Sequence, residues 1–260
     1  MDGSPQGRKN SIDREFNSLL ESDEPPAVEI FNEGGTCALL LVCDHASKAV
    51  PIKLKNLGLD KIQFERHIAF DIGAAEVTRN LAKRLNSQAI LSGYSRLAID
   101  PNRPLGDPQS ILEISDGIFI PGNQGLTKNN QRCRVSNLFE PYHDTINKTL
   151  AHLSSNGKTP VLVSIHSFSP DFGNKPRPWD IGVLWNRDPR IAKPLIEKLK
   201  KYGLNVGDNL PYSGLELAYT IDLHGGAAGL ANCVVEINQN QVQDKASIER
   251  WGKILADILQ

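Results

Sequence analysis

Two apolar runs that each end at a histidine constrain the fold of this 260-residue chain more than any other feature. Residues 37–43 read C-A-L-L-L-V-C and lead into Asp44 and His45, and residues 161–165 read V-L-V-S-I and lead into His166. Runs of this length favour strands that are buried on both faces of a parallel sheet. The ligand crevice of an open α/β sheet lies outside the carboxyl ends of its strands. The pattern therefore predicts that both imidazoles lie at such a crevice.

The rest of the chain alternates between strand-like and helix-like segments. Further strands are predicted over residues 88–91, 181–185 and 233–237, and helices over residues 61–85, 127–154, 188–202 and 246–259. The helical pattern of residues 61–85 is interrupted, so two helices that meet near Asp71 are as compatible with it as one. This order predicts an α/β three-layer sandwich around a mainly parallel mixed sheet. We expect an N-terminal arm over residues 1–35, with a short helix over residues 12–20, and a single catalytic domain over residues 36–260.

Composition excludes several classes of partner. The 29 basic and 30 acidic residues nearly balance, which argues against a large nucleic-acid interface. No apolar stretch is long enough to span a bilayer, and the N-terminus lacks the apolar segment of a secretory signal. The four cysteines form no C-x-x-C pair, which favours reduced thiols. We therefore expect a cytoplasmic protein without a nucleic-acid or membrane partner, while the oligomeric state stays open.

The two histidines suggest a metal site. Zinc in hydrolases takes three ligands from His, Asp or Glu and keeps one position for water. A third ligand near His45 in sequence is Asp71, Glu65 or Asp44. Asp44 adjoins His45 on the strand and so points to the opposite face, which suits a residue that orients a ring. We favour Asp71 over Glu65, although Asp71 is equally compatible with a helix cap. Zinc is the expected cofactor, with nickel, cobalt or manganese as alternatives.

Glu236 lies in the apolar sequence V-V-E-I. Charged side chains are seldom buried unless they are paired or functional. One interpretation is therefore a general base beside a metal ion. The other is a carboxylate of an edge strand that faces solvent.

Residues 95–104 read S-R-L-A-I-D-P-N-R-P and form a proline-stiffened loop with Arg96, Asn102 and Arg103. Guanidinium groups match carboxylates bidentately, so the loop predicts a site for an anionic substrate or a developing oxyanion. The alternative is that Arg96 and Arg103 pair with Asp100 and other acids and so stiffen the loop. Tyr212 and His224 lie in two turn-rich segments and are further candidates for substrate binding, although turns need no function.

Six segments together resemble the N-formylglutamate amidohydrolase family. They are C-D-H-A-S, E-R-H-I-A-F-D-I-G-A, S-R-L-A-I-D-P-N-R-P, S-I-H-S-F, D-N-L-P-Y-S-G and V-V-E-I-N, spread over about residues 40–236. The resemblance implies a zinc-exopeptidase-like fold (phosphorylase/hydrolase-like), shared with carboxypeptidases and aspartoacylase. Better-known members carry P-H-S-G and D-L-N-R where this chain has D-H-A-S and D-P-N-R. The chain therefore resembles a divergent subgroup.

The resemblance also implies residue roles. It implies metal binding by His45, His166 and Asp71, catalysis by Glu236 and Arg96, and a grip on a substrate carboxylate by Asn102 and Arg103. The implied activity is metal-dependent hydrolysis of the N-acyl amide of a small acidic amino acid. The first candidate is N-formyl-L-glutamate, which yields formate and L-glutamate in histidine degradation. The alternatives are a metallohydrolase for another amide, such as a peptide C-terminus or a cell-wall amide, and a non-catalytic α/β binding module.

Overall fold

The computed structural model describes residues 18–173 and 175–260 of the chain. Its strands are β1 (Val28–Phe31), β2 (Leu39–Cys43), β3 (Gln88–Ser92), β4 (Ile114–Ser115), β5 (Ile118–Phe119), β6 (Val161–Phe168), β7 (Asp171–Phe172), β8 (Lys175–Pro176), β9 (Ile181–Leu184), β10 (Val206–Asp208) and β11 (Ala231–Asn238). Its α-helices are α1 (Ala74–Leu85), α2 (Lys128–Arg134), α3 (Glu140–Ser155), α4 (Ala192–Lys201), α5 (Tyr219–Ile221) and α6 (Lys245–Leu259).

Seven of these strands form one mixed sheet with the order β1-β3-β2-β6-β11-β9-β10. The four central strands, from β3 to β11, run parallel to one another. The edge strand β1 runs antiparallel to β3, and the pair β9-β10 runs antiparallel to β11. The carboxyl ends of the four central strands therefore meet at one edge of the sheet, as parallel α/β topology requires.

Alternating side chains of the strands fill two separate cores. Leu41, Val163 and Val235 pack on one face against α1, α4 and α6. Their neighbours in the strands, such as Leu40 and Val234, pack on the other face against α3 and α5. Because both faces are covered by helices, the strands are apolar at nearly every position. The expected three-layer α/β sandwich with a mainly parallel mixed sheet is confirmed.

The predicted elements differ from the structure mainly at their ends. The helical region 61–85 is two segments, a 3-10 turn over Lys61–Glu65 and helix α1, with Asp71 between them. The prediction that a helix begins at Asp188-Pro189 is wrong, because α4 starts at Ala192. Asp188 instead accepts hydrogen bonds from the backbone and side chain of Arg190.

Strand β1 lies inside the segment that the sequence assigned to an N-terminal arm. It pairs with β3 through the register Val28↔Ser92 to Phe31↔Ala89, so this part of the arm belongs to the sheet. Most of the helix predicted over residues 12–20 lies outside the described residues. None of the helices in the described segments has the length and apolar character that crossing a membrane requires.

The antiparallel end of the sheet positions a loop that borders the crevice. Gly182 on β9 lies opposite Glu236 on β11. A Cβ atom built at Gly182 would lie 2.1 Å from the backbone oxygen of Leu210, and one built at Gly207 would lie 2.4 Å from the same oxygen. The backbone of the loop that leads to Tyr212 therefore packs directly on the backbones of two strands.

We expect the substitution Gly182→Ala to lower the free energy of unfolding by about 1–3 kcal/mol, because the added methyl group overpacks a contact between two backbones. Urea denaturation measures this change. Gly34→Ala is the matched control, because a Cβ at Gly34 meets no atom within 4 Å. Equal stability of the two variants would contradict the proposed contact.

Candidate metal centre and active site

His45, Asp71 and His166 converge at the carboxyl edge of the sheet. One possible ligand atom from each of the three lies within 4.8 Å of the other two. His166 Nδ1 is 2.7 Å from Asp71 Oδ2, and His45 Nδ1 is 3.4 Å from the same oxygen. All three residues are at most 4% exposed. Two imidazole nitrogens and one carboxylate oxygen therefore face a common point inside the protein.

A second carboxylate holds the far nitrogen of each imidazole. His45 Nε2 lies 2.7 Å from Asp100 Oδ1, and His166 Nε2 lies 2.8 Å from Asp44 Oδ2. Histidine ligands of metals usually donate their other N–H to a carboxylate or carbonyl group, which fixes the ring and its tautomer. Both rings thus turn Nδ1 towards Asp71. The predicted role of Asp44 as a residue that orients a ring agrees with this geometry.

The break before α1 explains how Asp71 reaches this point. The backbone N–H of Asp71 donates to the carbonyl oxygen of His45 at 2.9 Å, which ties the break to the end of β2. The N-cap of α1 is Gly73, with φ of 78°, and no side chain forms a capping hydrogen bond at this helix end. The alternative that Asp71 caps a helix is therefore not what the structure shows.

The rival third ligands have other partners. Glu65 is exposed and pairs with Lys48 Nζ at 2.6 Å. Asp44 is fully buried and accepts hydrogen bonds from Tyr142 and Ser164 in addition to His166. Neither carboxylate joins the three-residue group.

Burial and neighbouring charges set the protonation of the two histidines. Burial, assisted by the positive charge of Arg96, lowers the pKa of His45 to about 4, so this ring is neutral at neutral pH. Burial also opposes the charged form of His166, but its hydrogen bond to Asp44 and the charge of Glu236 raise the pKa of His166 above its usual value. A metal ion would therefore displace a proton from His166, which makes metal binding pH-dependent.

The donor chemistry of this group fits a divalent transition metal. Two imidazoles and one carboxylate are the ligand set of several catalytic zinc sites. A catalytic metal site keeps a further position for a water or a substrate, and Glu236 lines the cavity over the three candidate ligands. Glu236 Oε2 is buried and has no hydrogen-bond partner among the described residues. A buried carboxylate oxygen without a partner is rare and suggests a ligand or a solvent molecule that completes the site.

Glu236 is adjacent to the histidines because of strand register. It lies on β11 directly beside His166 on β6, and it is 7% exposed. Burial raises the pKa of its carboxyl group, while the neighbouring His166 and the guanidinium groups of Arg96 and Arg177 oppose this rise. The alternative of a solvent-facing carboxylate on an edge strand is wrong, because β11 is central and Glu236 is buried.

Arg96 contacts the same group from the loop after β3. Its Nη2 pairs with Asp71 Oδ1, the carboxylate oxygen that does not face the histidines. Its Nε is buried and makes no hydrogen bond with any described residue. One side of this guanidinium therefore supports Asp71, and another donor stays available.

A cavity of about 170 Å³ opens over this cluster. It is lined by eight of the nine residues that the sequence proposed, namely His45, Asp71, Arg96, Asn102, Arg103, His166, Tyr212 and Glu236. The remaining lining residues are His67, Asp100, Ser167, Phe168, Ser169 and Leu217. The volume suits a small ligand.

The proline-stiffened loop presents two donors to this cavity. Asn102 Oδ1 accepts a hydrogen bond from the backbone N–H of Thr220 at 3.0 Å, so the amide nitrogen of Asn102 is the group left for a ligand. Arg103 makes neither a hydrogen bond nor an ion pair with another residue in the described segments. The alternative that Arg96 and Arg103 pair with Asp100 and other acids holds for Arg96, which pairs with Asp71. Asp100 instead contacts His45.

The structure does not bring His224 to the cavity. His224 is 3% exposed, and its Nε2 lies 2.7 Å from His143 Nδ1, with the two rings stacked. Its Nδ1 faces the side-chain amide of Asn147 at 2.7 Å. The prediction that His224 contacts the substrate therefore has no support in this geometry. The glycines beside it suggested a flexible surface turn, whereas the turn packs against α3.

The histidine pair supports the substrate loop from behind. His143 Nε2 donates to the carbonyl oxygen of Pro101 at 3.0 Å. A neutral His143 then accepts at Nδ1, so His224 Nε2 is the donor between the two rings. His224 Nδ1 is then an acceptor, which requires the Asn147 amide to turn its nitrogen rather than its oxygen towards the ring. Burial is the main cause that lowers the pKa of His224 to about 4, and the neighbouring His143 is the second cause. Both rings are therefore neutral at neutral pH.

Replacement of His224 by glutamine should reduce the loss of stability in acid. The folded pKa of about 4 lies below the unfolded value near 6.5, so the unfolded chain binds more protons between these pH values. The free energy of unfolding of the native sequence therefore falls as the pH drops from about 6.5 to 4. Between pH 7 and 5, the free energy of unfolding of the variant should fall less than that of the native sequence, by on the order of 1–2 kcal/mol.

Urea denaturation in the presence of a chelator measures this difference. His152→Gln on the exposed part of α3 is the control, and it should behave like the native sequence. An equal acid loss in all three proteins would show that His224 does not titrate in this way.

The sequence analysis did not assign a role in the site to two residues, Asp100 and Tyr142. Asp100, which holds His45, was considered only as a partner of arginines. Tyr142 donates to Asp44 Oδ1 at 2.9 Å from α3, which is 98 residues away in the chain. The apolar spacing of α3 places Tyr142 in the core, but nothing local indicates which buried acid its hydroxyl meets.

The chain is similar in sequence and fold to known proteins. A model of the N-formylglutamate amidohydrolase family matches residues 37–242. A gene product of Agrobacterium tumefaciens superposes with a TM-score of 0.90 at 30% identity, covering 93% of this chain and 96% of that chain. An N-formylglutamate amidohydrolase from Ralstonia eutropha superposes with a TM-score of 0.66 at 15% identity, covering 90% and 96%. A comparison with curated proteins found no match.

Proposed function

The chain belongs to the N-formylglutamate amidohydrolase family, and on this premise we propose that it is a metal-dependent amidohydrolase for N-acyl derivatives of small acidic amino acids. The proposed substrate is N-formyl-L-glutamate, and the products are formate and L-glutamate. The observation that carries the proposal is the group of His45, Asp71 and His166. Beside it lies Glu236 Oε2, which is buried and has no hydrogen-bond partner among the described residues. A metal site without hydrolytic chemistry would not need a buried, partnerless carboxylate at its open side.

His45, Asp71 and His166 are the residues that would hold the metal ion, and zinc is preferred for this donor set. Bound there, the ion would supply a Lewis acid and would favour deprotonation of a water molecule at neutral pH. Asp100 and Asp44 keep the rings in the orientation that presents Nδ1. The apolar surroundings strengthen every electrostatic interaction in the cluster.

Glu236 is the proposed general base and acid. Its free oxygen accepts a proton from the water whose oxygen forms a bond to the formyl carbon. As the carbon–nitrogen bond breaks, Glu236 donates that proton to the leaving amine nitrogen. Burial raises the pKa of Glu236, which makes the carboxylate a stronger base than an exposed one.

Arg96 is proposed to stabilise the negative charge that develops on the carbonyl oxygen. Its buried Nε has no hydrogen-bond partner in the described segments, and its pairing with Asp71 restrains the guanidinium. Loss of one preorganised donor of this kind typically costs about 2.7–4 kcal/mol of transition-state stabilisation.

Asn102 and Arg103 are proposed to bind the α-carboxylate of the substrate. The amide nitrogen of Asn102 and the guanidinium of Arg103 both lie at the cavity, and neither has a hydrogen-bond acceptor among the residues that the structure describes. Their grip would fix the scissile amide relative to Glu236, which is how bound geometry lowers a reaction barrier.

The substitution Glu236→Gln should abolish turnover and leave metal binding intact. Loss of the proton acceptor is expected to lower kcat for N-formyl-L-glutamate by about 10²–10⁴-fold. Release of formate and metal content per chain are the two measurements. Glu65→Gln removes an exposed carboxylate outside the group and serves as control. Near-normal activity of Glu236→Gln would remove this residue from the mechanism.

Zinc should stabilise the folded protein through the three proposed ligands. An ion that binds only the folded state at 100 times its Kd adds about 2.7 kcal/mol, which appears as a rise in Tm on zinc titration. His166→Ala and Asp71→Ala should lose this rise, and Glu65→Gln should keep it. Absence of any zinc effect on the native sequence would favour the alternative of a non-catalytic binding module.

A comparison of substrates separates the proposed activity from hydrolysis of another amide. The cavity of about 170 Å³ favours N-formyl-L-glutamate over short peptides. A higher kcat/KM for a peptide C-terminus would replace the proposed substrate while retaining the metal chemistry.

A further inference from the structure

We propose that Arg177 binds the second carboxylate of a dicarboxylic substrate and thereby selects glutamate over its neutral analogues. This inference rests on the proposed amidohydrolase function and adds the residue that reads the substrate side chain. Arg177 follows the hairpin β7–β8 and was not among the residues that the sequence suggested.

Arg177 is attached to the wall of the cavity. Its Nη1 donates to the hydroxyl oxygen of Tyr212 at 2.9 Å and to Ser169 Oγ at 3.3 Å. Both Tyr212 and Ser169 line the cavity over the metal-ligand group. The guanidinium therefore lies one side chain away from the space where a substrate would bind.

Two aromatic rings restrict the guanidinium. Its central carbon lies 4.7 Å from the ring centre of Tyr212 and 5.1 Å from that of Phe172. Cations at such distances are attracted to the ring faces. Nη2 and Nε of Arg177 make no hydrogen bond within the described part of the chain, so the clamped group retains donors for a ligand.

The charges around the cavity match a substrate with two carboxylates. Some arginines pair with acids, as Arg66 does with Asp116 and Arg79 with Glu29. Others contact only neutral groups, as Arg134 does. Neither Arg103 nor Arg177 has a carboxylate partner among the described residues. Arg103 in the cavity lining and Arg177 beside Tyr212 and Ser169 together suit a dianion, because each carboxylate can then meet one guanidinium.

The electrostatics of the cavity support this placement. Burial lowers the pKa of His67 and raises that of Glu236, and the positive charge of Arg177 adds to the first change and opposes the second. Both residues line the cavity. The field of Arg177 therefore reaches the substrate space. With the α-carboxylate on Asn102 and Arg103, the side-chain carboxylate of glutamate is the group left for Arg177.

The test compares N-formyl-L-glutamate with N-formyl-L-glutamine, which has nearly the same shape and lacks the side-chain charge. The native sequence should prefer the glutamate compound in kcat/KM by about 10–100-fold, the worth of one hydrogen-bonded ion pair. Arg177→Met should lose this preference because its kcat/KM for the glutamate compound falls, while its kcat/KM for the glutamine compound changes little. Arg177→Lys should keep part of it.

Two control variants isolate the role of Arg177. Arg66→Met removes a positive charge that is paired with Asp116 near the site, and it should leave the preference unchanged. Tyr212→Phe removes the hydroxyl that holds Arg177, and it should weaken the preference less than Arg177→Met does. An equal loss on both substrates in Arg177→Met would overturn the proposal, because Arg177 would then only support Tyr212.

A binding measurement keeps this test separate from the proposed function. Calorimetry of both compounds with the Glu236→Gln protein and with a Glu236→Gln/Arg177→Met protein needs no turnover. Tighter binding of the glutamate compound that disappears in the double variant would support the role of Arg177 even if the native sequence cleaved neither compound. Equal binding of both compounds by the single variant would overturn it.

Discussion

The Asp71 carboxylate, shared between two imidazoles and a guanidinium, is the interaction on which the rest of the site depends. Its two oxygens face different partners: Oδ2 meets His45 and His166, and Oδ1 meets Arg96. A buried charge is tolerated only when it is paired and hydrogen-bonded. The end of β2, strand β6 and the loop after β3 are therefore held together by one side chain.

The surrounding carboxylates turn the histidines into a matched pair. Asp44 precedes one histidine in sequence but holds the other in space, because successive residues at a strand end point to opposite sides. Asp100 holds His45 from the loop that also carries Asn102. Asp100 therefore links the orientation of the His45 ring to the position of the loop that carries Asn102. It connects the proposed metal site to the proposed substrate-binding site.

Local sequence patterns predicted the parts of the site that follow buried strands. His45, His166 and Glu236 were found because each interrupts or ends an apolar run, and the sheet then brings such positions to one edge. Asp71 was found because a helical pattern breaks there. His224 was assigned to the cavity from its neighbouring glycines, which cannot show the layer against which a turn packs. Strand β1 was missed because its alternation is short and half exposed.

The contact of Leu210 with Gly182 and Gly207 has a consequence for how this cavity can vary. Its wall near Tyr212 is positioned by main chain resting on main chain, so the spacing between that wall and Glu236 does not depend on the identity of the side chains at the mouth. Related enzymes that keep both small residues can exchange the rim and alter what they recognise while the breadth of the chamber stays the same.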